Sequence, residues 1–382
     1  MDDNQFRAPA PILALEPPTP ASPSTIRLRK FMTSHYIDLF SDTQTRPTQG
    51  MRAAMAQALV GDEQSDDDPT TLTLCEKVAE LLGQEAGVFM PSGTMCNLTA
   101  ILTHTRPGDE VICDHQSHIY CTEAGGAAAL AGVSVWPLQS PHGIFDVQQV
   151  HEAVRPRTRT APRTRLLTLE QSTNFSGGAI WPLPQLREVR DAARSHGLKC
   201  HMDGARLLNA SAATGIAPAE YASGWDSVWI ALSKGLGCPV GAVLCGSAEF
   251  IHEAWQWKYR LGGAMRQSGV LAAAGLYALE HHLPQLETDN INAQSIWTTL
   301  SACDLFRFDP PRPSSNILRF TFASELIEAD AYAKACLAEG VRLRAIGGNF
   351  IRATTHLDVS PQEAETAART MLSVAQRMAK RA

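Results

Sequence analysis

The sequence DSVWIALSKGLGCPVGAVLCG, residues 226–246, joins an apolar run to a lysine and a series of glycines. Residues 227–232 have the length and the β-favouring composition of a buried strand, and Lys234 follows almost at once. Burial disfavours the ammonium form of a lysine and lowers its pKa, so that the amine can form a Schiff base with an aldehyde. The stretch therefore predicts either a reactive lysine at a strand end or an ordinary surface lysine in a glycine-rich turn.

The composition is that of a compact protein with one large and one smaller domain. The chain has 382 residues, of which 44% are hydrophobic and 19% charged. Its net charge of −6 offers no basic face for nucleic acid. No apolar run reaches the roughly 18–20 residues that a membrane span needs. We therefore predict no nucleic-acid partner and no membrane insertion.

Nine cysteines are scattered along the chain without a CxxC pair. An odd number of unpaired cysteines in a long chain indicates thiols that are kept reduced, so we predict a cytoplasmic location. Asp114, His115 and His118 could suggest a metal, but no further residue at metal-binding spacing completes the set. No metal ligands are therefore predicted, although a structural cation stays open.

The chain divides into four predicted segments. Residues 1–34 contain six prolines and no signal-peptide core, so they are predicted to be a disordered extension. Residues 35–60 are predicted to form an N-terminal arm, residues 61–285 a large cofactor-binding domain, and residues 286–382 a small C-terminal α+β domain.

Strands alternate with helices through the large domain. The pattern predicts strands at 86–90, 110–113, 133–138, 165–170, 198–202 and 227–232, and helices around 51–59, 74–83, 96–104 and 183–196. Most of these strands are apolar on both faces, which predicts an α/β fold with a largely parallel sheet between helices. Later residues predict helices at 250–261, 270–283, 286–302, 325–339 and 360–380, and strands at 316–322 and 350–354.

Residues 91–97, PSGTMCN, connect a predicted strand to a predicted helix. The backbone N–H groups of Gly93 and Thr94, with the hydroxyls of Ser92 and Thr94 beside them, would lie at a helix N-terminus, which favours a bound phosphate. The alternative is plain helix capping by Ser92 or Thr94.

Two more strand ends carry polar side chains. Asp203, in the sequence HMDGAR, would lie at the carboxyl edge of the sheet with Lys234, and ligands bind at that edge in such folds. His118, in CDHQSHIYCTEAGG, could lie over a flat group in the same cleft. Asp203 could instead cap a helix, and His118 could be a packing or capping residue.

Together these four elements describe one ligand, pyridoxal phosphate. The lysine would hold it as a Schiff base, the acid would pair with its pyridinium nitrogen, the histidine would lie over its ring, and the helix N-terminus would bind its phosphate. We therefore predict pyridoxal 5′-phosphate as the cofactor.

Eight stretches of the sequence resemble the L-threonine aldolase family, which is grouped with the β-eliminating lyases among fold-type-I pyridoxal-phosphate enzymes. In chain order they are SDTQTRP, DDPTTLTLCEKVAELLG, PSGTMCN, EAGGA, HMDGARLLNA, LSKGLGCPVGAVLCG, GGAMRQSGVLAAAGLYAL and THLDV. The resemblance implies a transferase-like α/β fold with a mostly parallel seven-stranded sheet, a small C-terminal α+β domain, and a homodimer or homotetramer.

The resemblance also assigns roles to single residues. Lys234 matches the lysine that binds the cofactor, Asp203 the partner of its ring nitrogen, and His118 the histidine stacked on its ring. The other matching positions are Gly93 and Thr94 for the phosphate, Arg266 for a phosphate across a subunit boundary, and Ser41, Arg206 and Arg352 for the cofactor hydroxyl and the substrate carboxylate.

The chain departs from the family pattern at two places on the substrate side. Ser65 or Gln64 stands where many members have a tyrosine, and the run QSTNFSGG offers Thr173 and Asn174 where many have a histidine. We therefore expect His118 to take the β-hydroxyl proton, directly or through a water. Thr173 and Asn174 are then expected to set the aldehyde preference.

The predicted activity is cleavage of a small β-hydroxy-α-amino acid, such as L-threonine, L-allo-threonine or a related substrate, to glycine and an aldehyde. A β-eliminating lyase, a racemase or an aminotransferase would use the same lysine and aspartate. A non-catalytic cofactor-binding protein or a regulator could also be built on this fold. The sequence leaves these alternatives open, as it does the stereochemical preference.

Overall fold

The structure is a computed structural model that describes residues 36–381. The predicted disordered extension, residues 1–34, therefore lies outside the described residues. No helix among residues 36–381 combines the length and the hydropathy that crossing a membrane requires. All nine cysteines have free thiols, and seven of them are buried.

A seven-stranded sheet forms the centre of the larger part of the chain. With strands numbered in chain order, its spatial order is β2 (Ala86–Met90), β8 (Ala242–Gly246), β7 (Ser227–Ala231), β6 (Lys199–Gly204), β5 (Arg163–Glu170), β3 (Asp109–Asp114) and β4 (Ser134–Leu138). Neighbouring strands are parallel except at β8, which is antiparallel to both β2 and β7. The predicted mostly parallel α/β sheet is confirmed, and the end of the glycine-rich stretch supplies the antiparallel strand.

Helices cover both faces of this sheet because its strands are apolar on both sides. Along β2, Val88 and Met90 pack into one core while Phe89 between them packs into another. One helical layer contains α3 (Gly93–His104), α5 (Gly126–Ala131) and α10 (Ala248–Arg260). The other layer contains α1 (Gln49–Ala56), α2 (Pro69–Leu82), α6 (Val147–Ala153), α7 (Leu183–Ser195), α8 (Leu207–Thr214), α9 (Pro218–Ala222) and α11 (Gly269–His281). The short helix α4 (His118–Cys121) follows β3.

The C-terminal part of the chain packs around a second core. Its antiparallel sheet has the order β12 (Arg344–Ile346), β13 (Phe350–Thr354), β10 (Ile317–Phe322) and β9 (Phe306–Phe308). The helices of this part are α12 (Gln285–Ser301), α13 (Ala329–Ala338) and α14 (Pro361–Arg381). β1 (Ile37–Asp38) pairs in parallel with β11 (Val341–Arg342), and Leu39 enters the second core, so the predicted N-terminal arm is shared between the two cores.

The predicted elements differ from the structure mainly at their ends. The helix predicted over 51–59 ends at Ala56, and the helix predicted over 325–339 begins at Ala329. The strands β1, β9, β11 and β12 have only two or three residues each, which is too short for an alternation pattern to reveal them.

Candidate active site

A small cavity, about 130 Å³ in volume, lies where β5, β6 and β7 end. Its lining brings together predicted residues from distant parts of the chain: Gly93, Thr94, His118, Asn174, Asp203, Arg206 and Lys234. A larger cavity of about 710 Å³ lies beside α2 and α10. Gln64 lines it, but none of the residues assigned to the cofactor or to the substrate carboxylate does. The convergence of reactive groups, and not the volume, therefore identifies the candidate site.

Lys234 follows β7 and lies half-buried in the wall of this cavity. Burial lowers the pKa of its amine to about 8, and the nearby Arg206 guanidinium acts in the same direction. Thr45 Oγ1 donates a hydrogen bond to the Lys234 carbonyl oxygen at 2.9 Å, which fixes the backbone at this point. These features favour a reactive lysine over a surface lysine in a turn.

Asp203 lies near the end of β6, the strand next to β7, and is buried. Its Oδ2 accepts a hydrogen bond from Asn97 Nδ2 at 2.9 Å, and its Oδ1 accepts the Ala205 N–H at 3.0 Å. The two bonds fix the carboxylate at the floor of the cavity, where it could pair with a cationic ring nitrogen.

His118 begins the short helix α4 and lines the same cavity. Its Nδ1 lies 2.7 Å from Glu123 Oε1, and its backbone N–H donates to Glu170 Oε1 at 2.5 Å. Burial alone would lower the pKa of His118, but the carboxylates of Glu123, Asp203 and Glu170 together outweigh it and the pKa is raised. Glu123 therefore holds the proton on Nδ1 and leaves Nε2 as the ring nitrogen that can act on a ligand.

Ser92 is the N-cap of α3, and its Oγ accepts the Met95 N–H at 3.2 Å. Gly93 begins the helix and lies against Trp229, so a Cβ at this position would be only 2.2 Å from the indole ring. The capping alternative for Ser92 is thus realised, yet Gly93 and Thr94 still line the cavity. A helix N-terminus that lines a cavity remains suited to an anion.

Two buried arginines lie close together at the cavity: Arg206 lines it, and Arg352 is joined to it through Asn174. Arg206 donates to both carboxylate oxygens of Asp42, at 2.6 and 2.8 Å. Asn174 Oδ1 accepts a hydrogen bond from Arg352 at 2.7 Å and a longer one from Arg206 at 3.4 Å. Burial, and next the Arg206 charge, lower the pKa of Arg352 to about 9. The Asn174 amide thus holds the two guanidinium groups together, an arrangement that suits a carboxylate ligand.

Besides Ser92 and Arg352, three more predicted residues lie outside this lining. Thr173 is buried and its Oγ1 accepts the Ala179 N–H at 3.0 Å. Ser41 is also buried, and its Oγ accepts a hydrogen bond from Thr43 Oγ1 at 2.9 Å. Arg266 is 62% exposed and pairs with Asp62 at 2.7 Å.

The structure also adds residues that the sequence analysis did not single out. Glu170 is the last residue of β5 and lines the cavity; burial, and next the charge of Asp203, raise its pKa to about 7. Its strand-end position was a signal that could have revealed it. Asp42, Asn97, Glu123 and Trp229 have no comparable signal, because each meets its partner only through tertiary packing.

Asp42→Ala is expected to lower the free energy of unfolding by about 3–5 kcal/mol, because it leaves the buried Arg206 guanidinium without its counter-charge. Burial alone would raise the pKa of Asp42, but Arg206 holds it well below its usual range. The pair therefore stabilises the protein above about pH 4, and this contribution is lost as the pH falls towards the folded-state pKa. Urea unfolding at several pH values measures both effects.

The matched control is Glu339→Gln, which removes a half-exposed ion pair with Arg377. Such pairs contribute about 0–1 kcal/mol. Equal losses of stability in the two variants would contradict the importance of the buried pair.

The fold and the site together define a class of protein. A mostly parallel α/β sheet with a lysine and an aspartate at the ends of adjacent strands, beside a helix N-terminus, is typical of fold-type-I proteins that use pyridoxal phosphate.

Comparison with known proteins agrees with this class and narrows it. Residues 38–323 match the family model described as beta-eliminating lyase. The chain is 40% identical over 334 residues to a low specificity L-threonine aldolase of Escherichia coli strain K12, covering 87% of this chain and 97% of that protein. It is also 40% identical over 291 residues to low-specificity L-threonine aldolase 1 of Arabidopsis thaliana, covering 75% and 81% of the two chains. The chain therefore belongs to the threonine aldolase family, as the sequence motifs predicted.

Solved structures support the same fold. Leishmania major threonine aldolase matches with a TM-score of 0.77 at 20% identity, covering 88% of this chain and 99% of that one. Sphingomonas wittichii serine palmitoyltransferase matches with a TM-score of 0.73 at 17% identity, covering 90% and 88%. The predicted fold-type-I architecture is confirmed.

Proposed function

We propose that this protein binds pyridoxal 5′-phosphate at Lys234 and cleaves a small β-hydroxy-α-amino acid, of the L-threonine or L-allo-threonine type, to glycine and an aldehyde. The observation that carries the proposal is the meeting of Lys234, Asp203 and His118 in one cavity with the Arg206 and Asn174 side chains. The threonine aldolases among its relatives support the same activity.

The residues of the cavity fit the cofactor. Gly93 leaves room where a side chain would strike Trp229, which opens the α3 N-terminus to a phosphate. Ser172 Oγ, in the cavity wall, and Arg352 Nε are buried polar atoms with no hydrogen-bond partner among the described residues. Groups of this kind are expected to bind a polar ligand. When bound, the cofactor supplies an electron sink for the bond that breaks.

The protein's own residues would then have separate tasks. Lys234 attaches the cofactor, Asp203 pairs with its ring nitrogen, and the His118 ring lies over its face. Arg352 and Arg206 bind the substrate carboxylate and so orient the bond between the α and β carbons. His118 Nε2 accepts the β-hydroxyl proton, directly or through a water, while Glu123 keeps Nδ1 protonated.

The test is a screen in the synthetic direction, with glycine and a panel of aldehydes, in which the four stereoisomers of each product are resolved. We expect new β-hydroxy-α-amino acids, with the side-chain preference altered in Asn174 variants. In the cleavage direction, threonine should release glycine and an aldehyde. Pyruvate and ammonia would instead indicate β-elimination, and interconverted enantiomers a racemase. Cofactor binding without any condensation would overturn the aldolase proposal.

The rate at which the cofactor-free protein captures pyridoxal phosphate is expected to rise about tenfold per pH unit below about pH 8 and to level off above it. The reason is the lowered pKa of Lys234, about 8, since only the neutral amine attacks an aldehyde. Stopped-flow absorbance measures this rate, and free N-acetyl-lysine serves as the control for the chemistry of the cofactor itself. A midpoint near that of the free lysine would contradict the effect of burial.

We further propose a homodimer or homotetramer in which Arg266 reaches a phosphate bound by the neighbouring subunit. The Glu63 N–H donates to the Arg266 carbonyl at 2.9 Å, so residues 59–72 and 266–270 form one continuous surface. Large apolar side chains are exposed on it and nearby: Leu59, Val60, Leu72, Tyr259 and Val270. An exposed apolar surface of this kind favours a subunit interface.

Light scattering is expected to give the mass of at least a dimer, and Arg266→Ala to weaken cofactor binding about 10- to 100-fold, the usual effect of losing a buried hydrogen bond to a charged group. Arg369→Ala, which changes an exposed arginine on α14, is the control. An active monomer, or equal cofactor affinity in both variants, would contradict the shared site.

We also propose a cytoplasmic location, because a chain with nine free thiols suits a reducing compartment. Cell fractionation with an antibody to the protein tests it, and enrichment in an oxidising compartment would overturn it.

A further inference from the structure

A single buried amide joins the parts of the candidate active site. Asn97 lies on α3, one turn after Gly93, and none of its surface is exposed. Its Nδ2 donates to Glu123 Oε1 at 2.7 Å and to Asp203 Oδ2 at 2.9 Å. Its Oδ1 lies 2.7 Å from Trp229 Nε1 and 3.1 Å from His201 Nε2.

The chemistry of the partners fixes the orientation of this amide. An indole N–H can only donate, and ionised carboxylates can only accept, so Nδ2 must face the two acids and Oδ1 must face Trp229. The His201 ring then donates from Nε2, which leaves its Nδ1 to accept from the Ser227 hydroxyl, 2.8 Å away. All four hydrogen-bonding positions of the Asn97 side chain are therefore filled, and the amide has no freedom to rotate or flip.

The two acids that share the amide act on different sides of the cavity. Asp203 lies at the cavity floor, while Glu123 holds His118 Nδ1 at 2.7 Å. A neutral amide donates a hydrogen bond to each of these carboxylates without adding charge between them. Other titratable groups lie around this cluster. They are His201, His104, which is reached through Ser227, Glu170, whose position on β5 is beside Asp203 on β6, and Cys96, Arg206 and Lys234.

Trp229, the remaining partner of Asn97, connects this amide to the proposed phosphate side of the site. The Trp229 ring supports Gly93, at the start of the same helix that carries Asn97. Any shift of Asn97 would therefore change three things at once: the orientation of the Asp203 carboxylate, the hydrogen bond between Glu123 and His118, and the packing of Trp229 against Gly93.

We propose that Asn97 is a positioning residue for the cofactor site. It sets the direction of the Asp203 carboxylate and, through Glu123, the proton position on His118. The inference rests on the proposed cofactor, but it concerns a residue that makes no contact with the cavity itself.

The test compares Asn97→Asp with the wild type as purified full-length proteins. The substitution keeps the size of the side chain but replaces the donating amide with a third carboxyl facing two others. We expect the dissociation constant for pyridoxal phosphate to rise about 10- to 100-fold, since each lost hydrogen bond involves a charged acceptor. We also expect the pH at which the absorbance of the bound cofactor changes to move, because the substitution places an additional carboxyl beside Asp203 and Glu123. The KM for the amino acid should change less than kcat, since the arginine side of the site is untouched.

Thr99→Val is the matched control. Thr99 lies on the same helix and is equally buried, but its Oγ1 has no hydrogen-bond partner among the described residues. This variant should keep the wild-type affinity and pH dependence. Trp229→Phe removes the N–H to Asn97 and the outer ring atoms that contact Gly93, but it leaves both acids their Asn97 donor. It should therefore weaken cofactor binding less than Asn97→Asp does, and it serves if that variant does not fold.

The outcomes separate the two proposals. A wild-type protein that binds no pyridoxal phosphate overturns both. The wild type could bind pyridoxal phosphate while the Asn97 and Trp229 variants keep its affinity for that cofactor and its pH-dependent absorbance. That result would overturn only the role of Asn97. The variants could instead lose thermal stability in the cofactor-free state but show the wild-type pH dependence of absorbance once saturated with cofactor. That result would show that Asn97 only packs the helix, and it would also overturn the positioning role.

Discussion

Replacing Lys234 with alanine is expected to abolish covalent attachment of pyridoxal phosphate and to reduce amino-acid cleavage by at least about 10³-fold, the order of loss seen when a reacting group is removed. The reason is that Lys234 lines the candidate cavity at the ends of the strands. Its pKa is lowered to about 8, so its amine is reactive near neutral pH. Borohydride treatment followed by peptide mass spectrometry locates the attached cofactor, and a coupled aldehyde assay measures cleavage.

Lys199→Ala is the control for this experiment. Lys199 begins the neighbouring strand β6, at the opposite edge of the sheet, and its side chain is 44% exposed in an ion pair with Asp226. That variant should keep the absorbance and the activity of the wild type. Near-normal cleavage by Lys234→Ala, in a protein that still folds, would rule out the proposed mechanism.

Asp203→Asn is expected to lower kcat by about 10²–10³-fold, the usual result of removing a fixed charge that stabilises a developing one. Asparagine has the same size as aspartate, so the protein should keep its fold. It cannot, however, supply the negative charge that keeps a pyridine nitrogen protonated. The loss should be larger in kcat than in the KM for the amino acid, because Asp203 is bonded to Asn97 and the Ala205 backbone and not to the two arginines proposed to bind the carboxylate.

Steady-state kinetics and the absorption spectrum of the bound cofactor measure this effect. Asp226→Asn is the control, since Asp226 precedes β7 at the far edge of the sheet and pairs with Lys199. If the two variants lose activity equally, Asp203 has no special role as a partner of the cofactor. An activity loss in Asp203→Asn that follows only from poor folding would appear as lowered thermal stability without a spectral change.

The sequence was informative about the site wherever chemistry coincides with a strand end. Lys234 follows one predicted strand and Asp203 comes directly after another, so both had to reach the same edge of a parallel sheet. Glu170 ends a third predicted strand, and the same rule would have identified it. The short strands and the pairing of β1 with β11 gave no usable pattern.

The substrate side was harder to predict because local sequence does not say where a loop side chain points. Thr173 and Asn174 are neighbours, yet Thr173 bonds the Ala179 backbone while Asn174 joins two arginines. Proximity in sequence made them equal candidates. Only the path of the chain after β5 separates their positions.

By itself, then, the sequence determined the mostly parallel sheet, the common edge of Lys234 and Asp203, and membership of the threonine aldolase family, because these depend on apolar runs and on ordered motifs. Tertiary structure alone decided which polar atoms meet. Asp42 pairs with Arg206 across 164 positions, and Asn97 meets Asp203 across 106. The physical reason is that periodicity reveals which face of an element is buried, whereas a hydrogen bond requires two side chains to lie about 3 Å apart, and that distance depends on how the separate elements pack.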